Sequence, residues 1–302
     1  MSKLTARDLL RILSLSLKEF KRNDPLRLAG ATAFFTTFAL PPILIILVQV
    51  IGTIFRHRNL RDKFFIHLSE ILGQQGAAQV RETFLGFTSL ATNWAIGIAG
   101  FVFLMFVATT LFKVIKDSLN QLWNVRPAPH IAFKFQMESR LVSLIIILLA
   151  GILFIGGLLA DGLEAFIHQH SGVLHTNTST FLNGLLDQLI SVVIVTIWFA
   201  ILFKALPDSK TSWRVVIPGG LFTGILFSIG KNVIRFLLLK GNLTNIFGAS
   251  TSFVLLLLFV FYCSFILYYG ACFTKNYAEY IKEPILPGPH AIKYKMVEVK
   301  SE

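Results

Sequence analysis

Six apolar stretches divide the chain, at residues 28–54, 94–115, 141–162, 181–206, 215–239 and 249–273. A helix rises about 1.5 Å per residue, so roughly 20 apolar residues cross about 30 Å of hydrocarbon. Every stretch meets that length. The solvent is therefore lipid for most of the fold, and the informative residues are polar ones placed where polarity is costly. The chain is 54% hydrophobic and 15% charged, with 29 Phe, which is more apolar surface than a soluble fold could hide. No Pro/Gly/Ser-rich linker separates the stretches, so residues 28–274 read as one membrane domain. A polar segment, 1–27, precedes it and a basic tail, 275–302, follows. The expected fold class is an all-α membrane protein. It has six transmembrane helices, an amphipathic N-terminal helix and a helical external loop after the first span.

The net charge of +12 would suit nucleic acid if it formed one patch. Its distribution points elsewhere. With the amino terminus inside, seven basic residues fall in the tail up to Arg27. Lys113, Lys116, Arg126, Lys134 and Arg140 follow the second span, Lys204, Lys210 and Arg214 the fourth, and Lys275, Lys282, Lys293, Lys295 and Lys300 the sixth. The opposite side is nearly bare beyond the first external connection, which holds Arg56, Arg58, Arg61, Lys63 and Arg81. Longer external loops obey the positive-inside rule less strictly, so both termini are assigned to the cytoplasm. No nucleic-acid partner is expected.

Residues 1–27 lack the continuous apolar core and cleavage site of a signal peptide. Leu9, Leu13, Leu17 and Phe20 share one helical face, and Arg7, Arg11, Lys18, Lys21 and Arg22 the opposite one. That division predicts a helix in the headgroup layer of an anionic leaflet, with packing on the inner rim of the bundle as the alternative. In the first external connection, Phe64, Phe65, Leu68, Ile71 and Leu72 precede Gly73-Gln74-Gln75-Gly76, and Val80, Phe84 and Phe87 follow. Two short amphipathic helices around a turn are expected there. Pro41 and Pro42, near the middle of the first span, remove backbone donors and predict a bend or break facing other helices or a wet cavity. Gly220 and Gly224 give the fifth span a small-residue face for close helix contact.

Enzymatic motifs are wanting. Cys263 and Cys272 sit nine residues apart in one apolar stretch and read as small apolar residues. His168, His170 and His175 share one external connection, a weak metal signal. There is no zinc-hydrolase spacing, phosphate-binding loop or nucleophile–base pair. Neither metal nor cofactor is expected, and no catalytic residue is assigned.

Ala33-Phe34-Phe35-Thr36-Thr37-Phe38-Ala39-Leu40-Pro41 resembles the first-span signature of the BrkB/YihY family of bacterial inner-membrane proteins. Leu119-Asn120-Gln121-Leu122-Trp123 is similar to that family's motif after the second span, and Leu206-Pro207 with Trp213-Arg214 to its entry into the fifth. Gly230-Lys231, Phe247-Gly248-Ala249-Ser250, Tyr262 and Tyr269-Gly270-Ala271 resemble its carboxyl-terminal pattern. The likeness runs from about residue 5 to about residue 282. The chain departs from the pattern at Phe35 and Phe247, where the family usually has Tyr, and at Cys272, where it usually has an acid. The resemblance implies six spans in the bacterial inner membrane. Family members carry ribonuclease BN, serum-resistance and transport labels, and none of these follows from the present residues.

Function is therefore read from the intramembrane charges. Lys231 and Arg235 are four apart on one face of the fifth span, and Asp161 and Glu164 close the outer end of the third. Asp187 lies one to two turns inside the outer end of the fourth. Counting about 1.5 Å per residue puts Asp161 and Arg235 both about 30 Å above the cytoplasmic edge and Lys231 about 24 Å above it. A charge in lipid costs about 2.5–3.5 kcal/mol, so these groups should pair or face water. An outward-facing polar cavity for an anionic lipid or amphiphile is the expectation. The alternatives are cations that snorkel to the outer headgroups while the acids end their helices, a non-enzymatic envelope interaction protein whose charges pair to fix the helix arrangement and, last, a membrane nuclease.

Overall fold

The computed structural model describes residues 5–55, 94–129, 177–240 and 251–295, with scattered helical residues between 66 and 85 and between 141 and 149. Most of residues 56–93, most of the third apolar stretch and His168, His170 and His175 lie outside the described residues. The described elements run α1 (Ala6–Arg22), α2 (Pro25–Phe55), α3 (Trp94–Leu122), β1 (Val125–Pro127), α4 (Asn177–Ala205), β2 (Ser209–Lys210), α5 (Trp213–Lys240), α6 (Thr251–Tyr280), β3 (Leu286–Pro287) and β4 (Ala291–Lys293).

Among the described residues, two helical stretches are long and apolar enough to cross a membrane: Trp213–Val233, of 21 residues, and Leu257–Tyr280, of 24. Helix α6 packs on α1, α2, α3 and α5, while α4 packs on α5. The core is aromatic and aliphatic: Trp123, Phe203, Tyr268 and Phe20 are buried among Leu119, Leu122, Val215 and Val216. Trp123 and Phe203 rings lie 6.2 Å apart. The Trp123 indole spends its N–H on Ala271 O at 3.0 Å, as a buried tryptophan must.

Helices α3 and α6 overrun the apolar limits read from the sequence and carry polar turns out to Leu122 and Tyr280. Asn124 and Lys282, at φ 56 and 60, end them in the left-handed conformation. Residues 286–293, within the stretch read as a basic tail, fold back on the bundle instead. Strand β4 pairs antiparallel with β1 (Val125 opposite Lys293), and β3 pairs with β2 (Lys210 opposite Leu286). We call the end carrying α1 and these strand pairs the basal end.

Helix α1 opens with a capping box. Asp8 N–H donates to Thr5 Oγ1 at 3.3 Å, and Thr5 N–H donates back to Asp8 Oδ2 at 3.1 Å. Its buried face is Ile12, Ser16 and Phe20, whereas Leu9 and Leu17 of the expected apolar face are exposed. The face turns because Ser16 is small and its hydroxyl is satisfied by Ile12 O at 2.7 Å, letting α1 lie close on α6. Phe20 meets Phe265 edge-on at 4.7 Å. So the face of Ile12, Ser16 and Phe20 packs on α6, and the cationic face of α1 turns away from it. Helix α2 is assigned without interruption through positions 41 and 42, whose side chains lie outside the described residues.

Candidate functional site

Glycine sets how closely α5 approaches its neighbours. A Cβ on Gly220 would sit 2.7 Å from Thr196 O and 2.9 Å from Ala200 N, and one on Gly224 would sit 2.9 Å from Thr196 Oγ1. The backbones of α4 and α5 therefore touch through this glycine face. On the other side, a Cβ on Gly219 would overlap the Thr274 hydroxyl and one on Gly270 the Thr223 hydroxyl, a reciprocal pair between α5 and α6. Both hydroxyls are already committed, Thr223 to Gly219 O at 2.8 Å and Thr274 to Gly270 O at 2.7 Å. Further along, Gly230 lies under the Tyr262 ring, whose hydroxyl donates to Leu226 O at 2.8 Å.

The contacts between α4 and α5 run antiparallel: Ala200 meets Gly220, Thr196 meets Gly224, and Ser191 meets Lys231. The Lys231 ammonium donates to Ser191 Oγ at 3.2 Å. Ile217, Leu221, Ile225, Ile229 and Val233 are exposed every fourth residue and form the outer ridge of α5. Lys231 is two residues, about 200°, from Ile229, and so points away from that ridge. It shares the face of Gly220 and Gly224. On α4 the outer ridge is Leu189, Val193 and Ile197, and Ser191 is likewise about 200° from Leu189. Thr196 Oγ1 and Ser228 Oγ, both buried, have no hydrogen-bond partner among the described residues. Among the described residues the α4–α5 seam thus carries the Lys231 ammonium with the Ser191 and Thr196 hydroxyls. The side chains of Arg235 and Asp187 lie outside the described residues, as do Asp161 and Glu164 entirely. Of the five expected cavity residues, Lys231 alone is placed.

The basal end holds a second polar constellation that sequence reasoning passed over. Asp208, in the link from α4 to β2, pairs with Lys116 of α3 at 2.7 Å, both side chains nearly buried. Asn120 Nδ2 donates to Asp208 Oδ2 and Asp208 N–H to Asn120 Oδ1, each at 2.9 Å, while Gly288 N–H donates to Asp208 O at 2.9 Å. Nearby, Lys275 of α6 pairs with Glu19 of α1 and donates to Leu122 O at 3.0 Å and Asn124 Oδ1 at 2.8 Å. Asn276 Nδ2 completes the group by donating to Glu19 Oε2 at 2.9 Å. Deeper in, the Tyr268 hydroxyl bonds with Thr32 and Ser118, joining α2, α3 and α6. These groups satisfy one another, so the arrangement clamps helix ends. Among the described residues no three His, Cys, Asp or Glu side chains come close enough to hold a metal ion.

Residues 16–293 match the family described as Virulence factor BrkB. UPF0761 membrane proteins of Janthinobacterium sp. (strain Marseille) and Pseudomonas paraeruginosa are each 25% identical to this chain over 82% of its length. A UPF0761 membrane protein of Saccharophagus degradans is 22% identical over 87%. The chain spans 55%, 58% and 58% of these relatives' own lengths, respectively. No solved structure matches the chain.

Proposed function

The chain belongs to the Virulence factor BrkB family, whose relatives are membrane proteins, and from that premise we propose that it moves an anionic lipid or amphiphile across the bilayer. The path is a polar cavity between helices, opening away from the basal end. Its wall consists of Lys231, Arg235, Asp161, Glu164 and Asp187. The setting is the bacterial inner membrane, crossed six times with both termini in the cytoplasm.

One observation carries the reading: the Lys231 ammonium is bonded to Ser191 on the face of α5 that meets α4, opposite the exposed apolar ridge. A cation that merely snorkelled to the headgroups would need no partner on a neighbouring helix. The antiparallel contacts support the rest of the layer. Arg235 is one turn beyond Lys231 and Asp187 one turn before Ser191, so the same register brings those two positions level. Thr196 and Ser228 extend the polarity toward the basal end. An ammonium and a guanidinium four residues apart suit a phosphate or carboxylate headgroup, with the flanking apolar surface taking its chains. No catalytic step is assigned. A second reading, an envelope interaction protein, draws on the self-satisfied basal ion pairs, which suit a rigid scaffold.

Sealed vesicles containing phosphatidylglycerol with a fluorescent label on its chain test the transport reading. With the wild-type protein, an impermeant reductant should bleach label from both leaflets. Lys231→Ala should slow that loss about tenfold, the effect of about 1.4 kcal/mol on a rate. Bleaching that stops at the outer leaflet for wild type, or equal rates for both proteins, would overturn it. The orientation is tested separately. A cysteine placed at Ser171 should react with an impermeant thiol reagent in intact cells, whereas one at the exposed Lys210 should not. The reverse pattern would invert the topology.

A further inference from the structure

Helix α1 turns its two acids inward and its cations outward. The Asp8 carboxylate accepts from the Thr5 hydroxyl and backbone N–H and from the Tyr280 hydroxyl at 3.0 Å, bonds that hold it below the usual carboxylate range. Glu19 is taken by Lys275 and Asn276. Arg7, Arg11, Lys18, Lys21 and Arg22 are all exposed on the other side, and none is at ion-pair distance from an acid among the described residues, although Arg11 lowers Asp8 through space. Leucines border this stripe: Leu10 is 66% exposed and Leu17 43% on one flank, and Leu15 is 46% exposed on the other. Five cations between exposed leucines leave both a charge and an apolar surface without a partner among the described residues.

The level of α1 says what covers them. Tyr269 OH donates to Leu13 O at 3.4 Å, the Phe20 ring lies against Phe265 and Tyr269, and Asp8 reaches Tyr280. Helix α1 therefore lies along residues 265–280 of α6. Within that stretch α6 passes from apolar Phe273 to Lys275 and Asn276. In a membrane-spanning helix that change marks the boundary between hydrocarbon and headgroups. The cations of α1 stand at headgroup height, with the leucines beside them at the edge of the acyl chains.

We propose that the outward face of α1 is a docking surface for anionic phospholipid headgroups of the leaflet at the basal end. The cations meet the phosphates while Leu10, Leu15 and Leu17 seat the helix in the interface. This rests on the membrane placement of the chain alone and stands apart from the Lys231 layer.

Ser14, exposed within the stripe, is the place for a reporter. The full chain, with Cys263 and Cys272 replaced by Ala and Ser14→Cys carrying a fluorophore, is reconstituted in vesicles mixing phosphatidylcholine and phosphatidylglycerol. One of the two lipids at a time bears a nitroxide high on its acyl chain. Labelled phosphatidylglycerol should quench the fluorophore several-fold more than labelled phosphatidylcholine. The preference should shrink when salt rises from about 0.05 to about 0.5 M. It should also vanish when Arg7, Arg11, Lys18 and Lys21 are changed to Gln. Equal quenching by the two lipids in the unaltered stripe would overturn the proposal. So would quenching by neither, which would give the face to a soluble acidic partner or to water. Both readings come from a protein with all five cations intact, so misfolding of the Gln variant does not enter them.

Discussion

Lys275→Ala should lower the stability of the folded protein by about 3 kcal/mol, the lower part of the range for removing one partner of a buried ion pair. The side chain holds three elements at once. It neutralises Glu19 of α1 and caps Leu122 O and Asn124 Oδ1 at the end of α3, from a base on α6. Truncation leaves Glu19 with the Asn276 amide alone and two further acceptors without this donor. Lys275 is 13% exposed and Glu19 18%, so water enters readily enough to keep the loss below the fully buried limit. The check is a denaturant titration in detergent micelles, with proteolysis after α1 as a local readout. Because a missing partner costs more than a missing pair, Lys275→Met combined with Glu19→Gln should recover much of what Lys275→Ala loses. A Lys275→Ala protein as stable as wild type would mean that the clamp contributes nothing.

Gly270→Ala should destabilise by about 1–3 kcal/mol, a large effect for one methyl group. The new Cβ would overlap the Thr223 hydroxyl. Thr223 cannot turn aside cheaply because that hydroxyl donates to Gly219 O within its own helix. The helices must part instead, and parting also loosens Gly219 against Thr274. Gly230→Ala meets the Tyr262 ring, anchored by its bond to Leu226 O, and should cost at least as much. Compensation discriminates overlap from helix propensity: Thr223→Ala should rescue Gly270→Ala and do nothing for Gly230→Ala. Alanine favours a helix over glycine by about 1 kcal/mol, so any net loss must come from the contact.

The helical character of the described stretches was legible in the residues, because length and hydropathy decide it, whereas the polar turns that carry α3 to Leu122 and α6 to Tyr280 were not. The cationic stripe of α1 was legible too, since helical spacing puts Arg7, Arg11 and Lys18 on one side. What could not be read was partnership. Lys116 and Lys275 entered the charge count as solvated cations, and nothing local marks them as the two that find Asp208 and Glu19. Those acids stand 92 and 256 residues away in the chain, so only the fold introduces them. Strands β1 to β4 were missed because they are two or three residues long, too short to show alternation, and β1 and β3 end in proline. The family-like motifs were recognisable without being understood. The structure explains several: Asn120 holds Asp208 beside Leu206-Pro207, Trp123 binds Ala271 O, and Gly230 makes room for Tyr262. Lys231 was singled out in the sequence by the cost of a charge in lipid. The Ser191 hydroxyl that receives it was not, since a half-buried serine in an apolar helix carries no signal of its own.

The reciprocal Gly–Thr contacts between α5 and α6 act as a vernier. Sliding one helix past the other by one residue shifts it about 1.5 Å and turns it about 100°, which drives both threonines out of their glycine notches and into side chains. The notches at Gly219 and Gly270 therefore fix the depth of everything carried farther along α5, including Lys231, 12 residues or about 18 Å from Gly219. The ammonium cannot be raised or lowered by a piston stroke of α5 alone. A movement of Lys231 along the axis of α5 would therefore have to carry α6 with it, as one body joined at the two glycine notches.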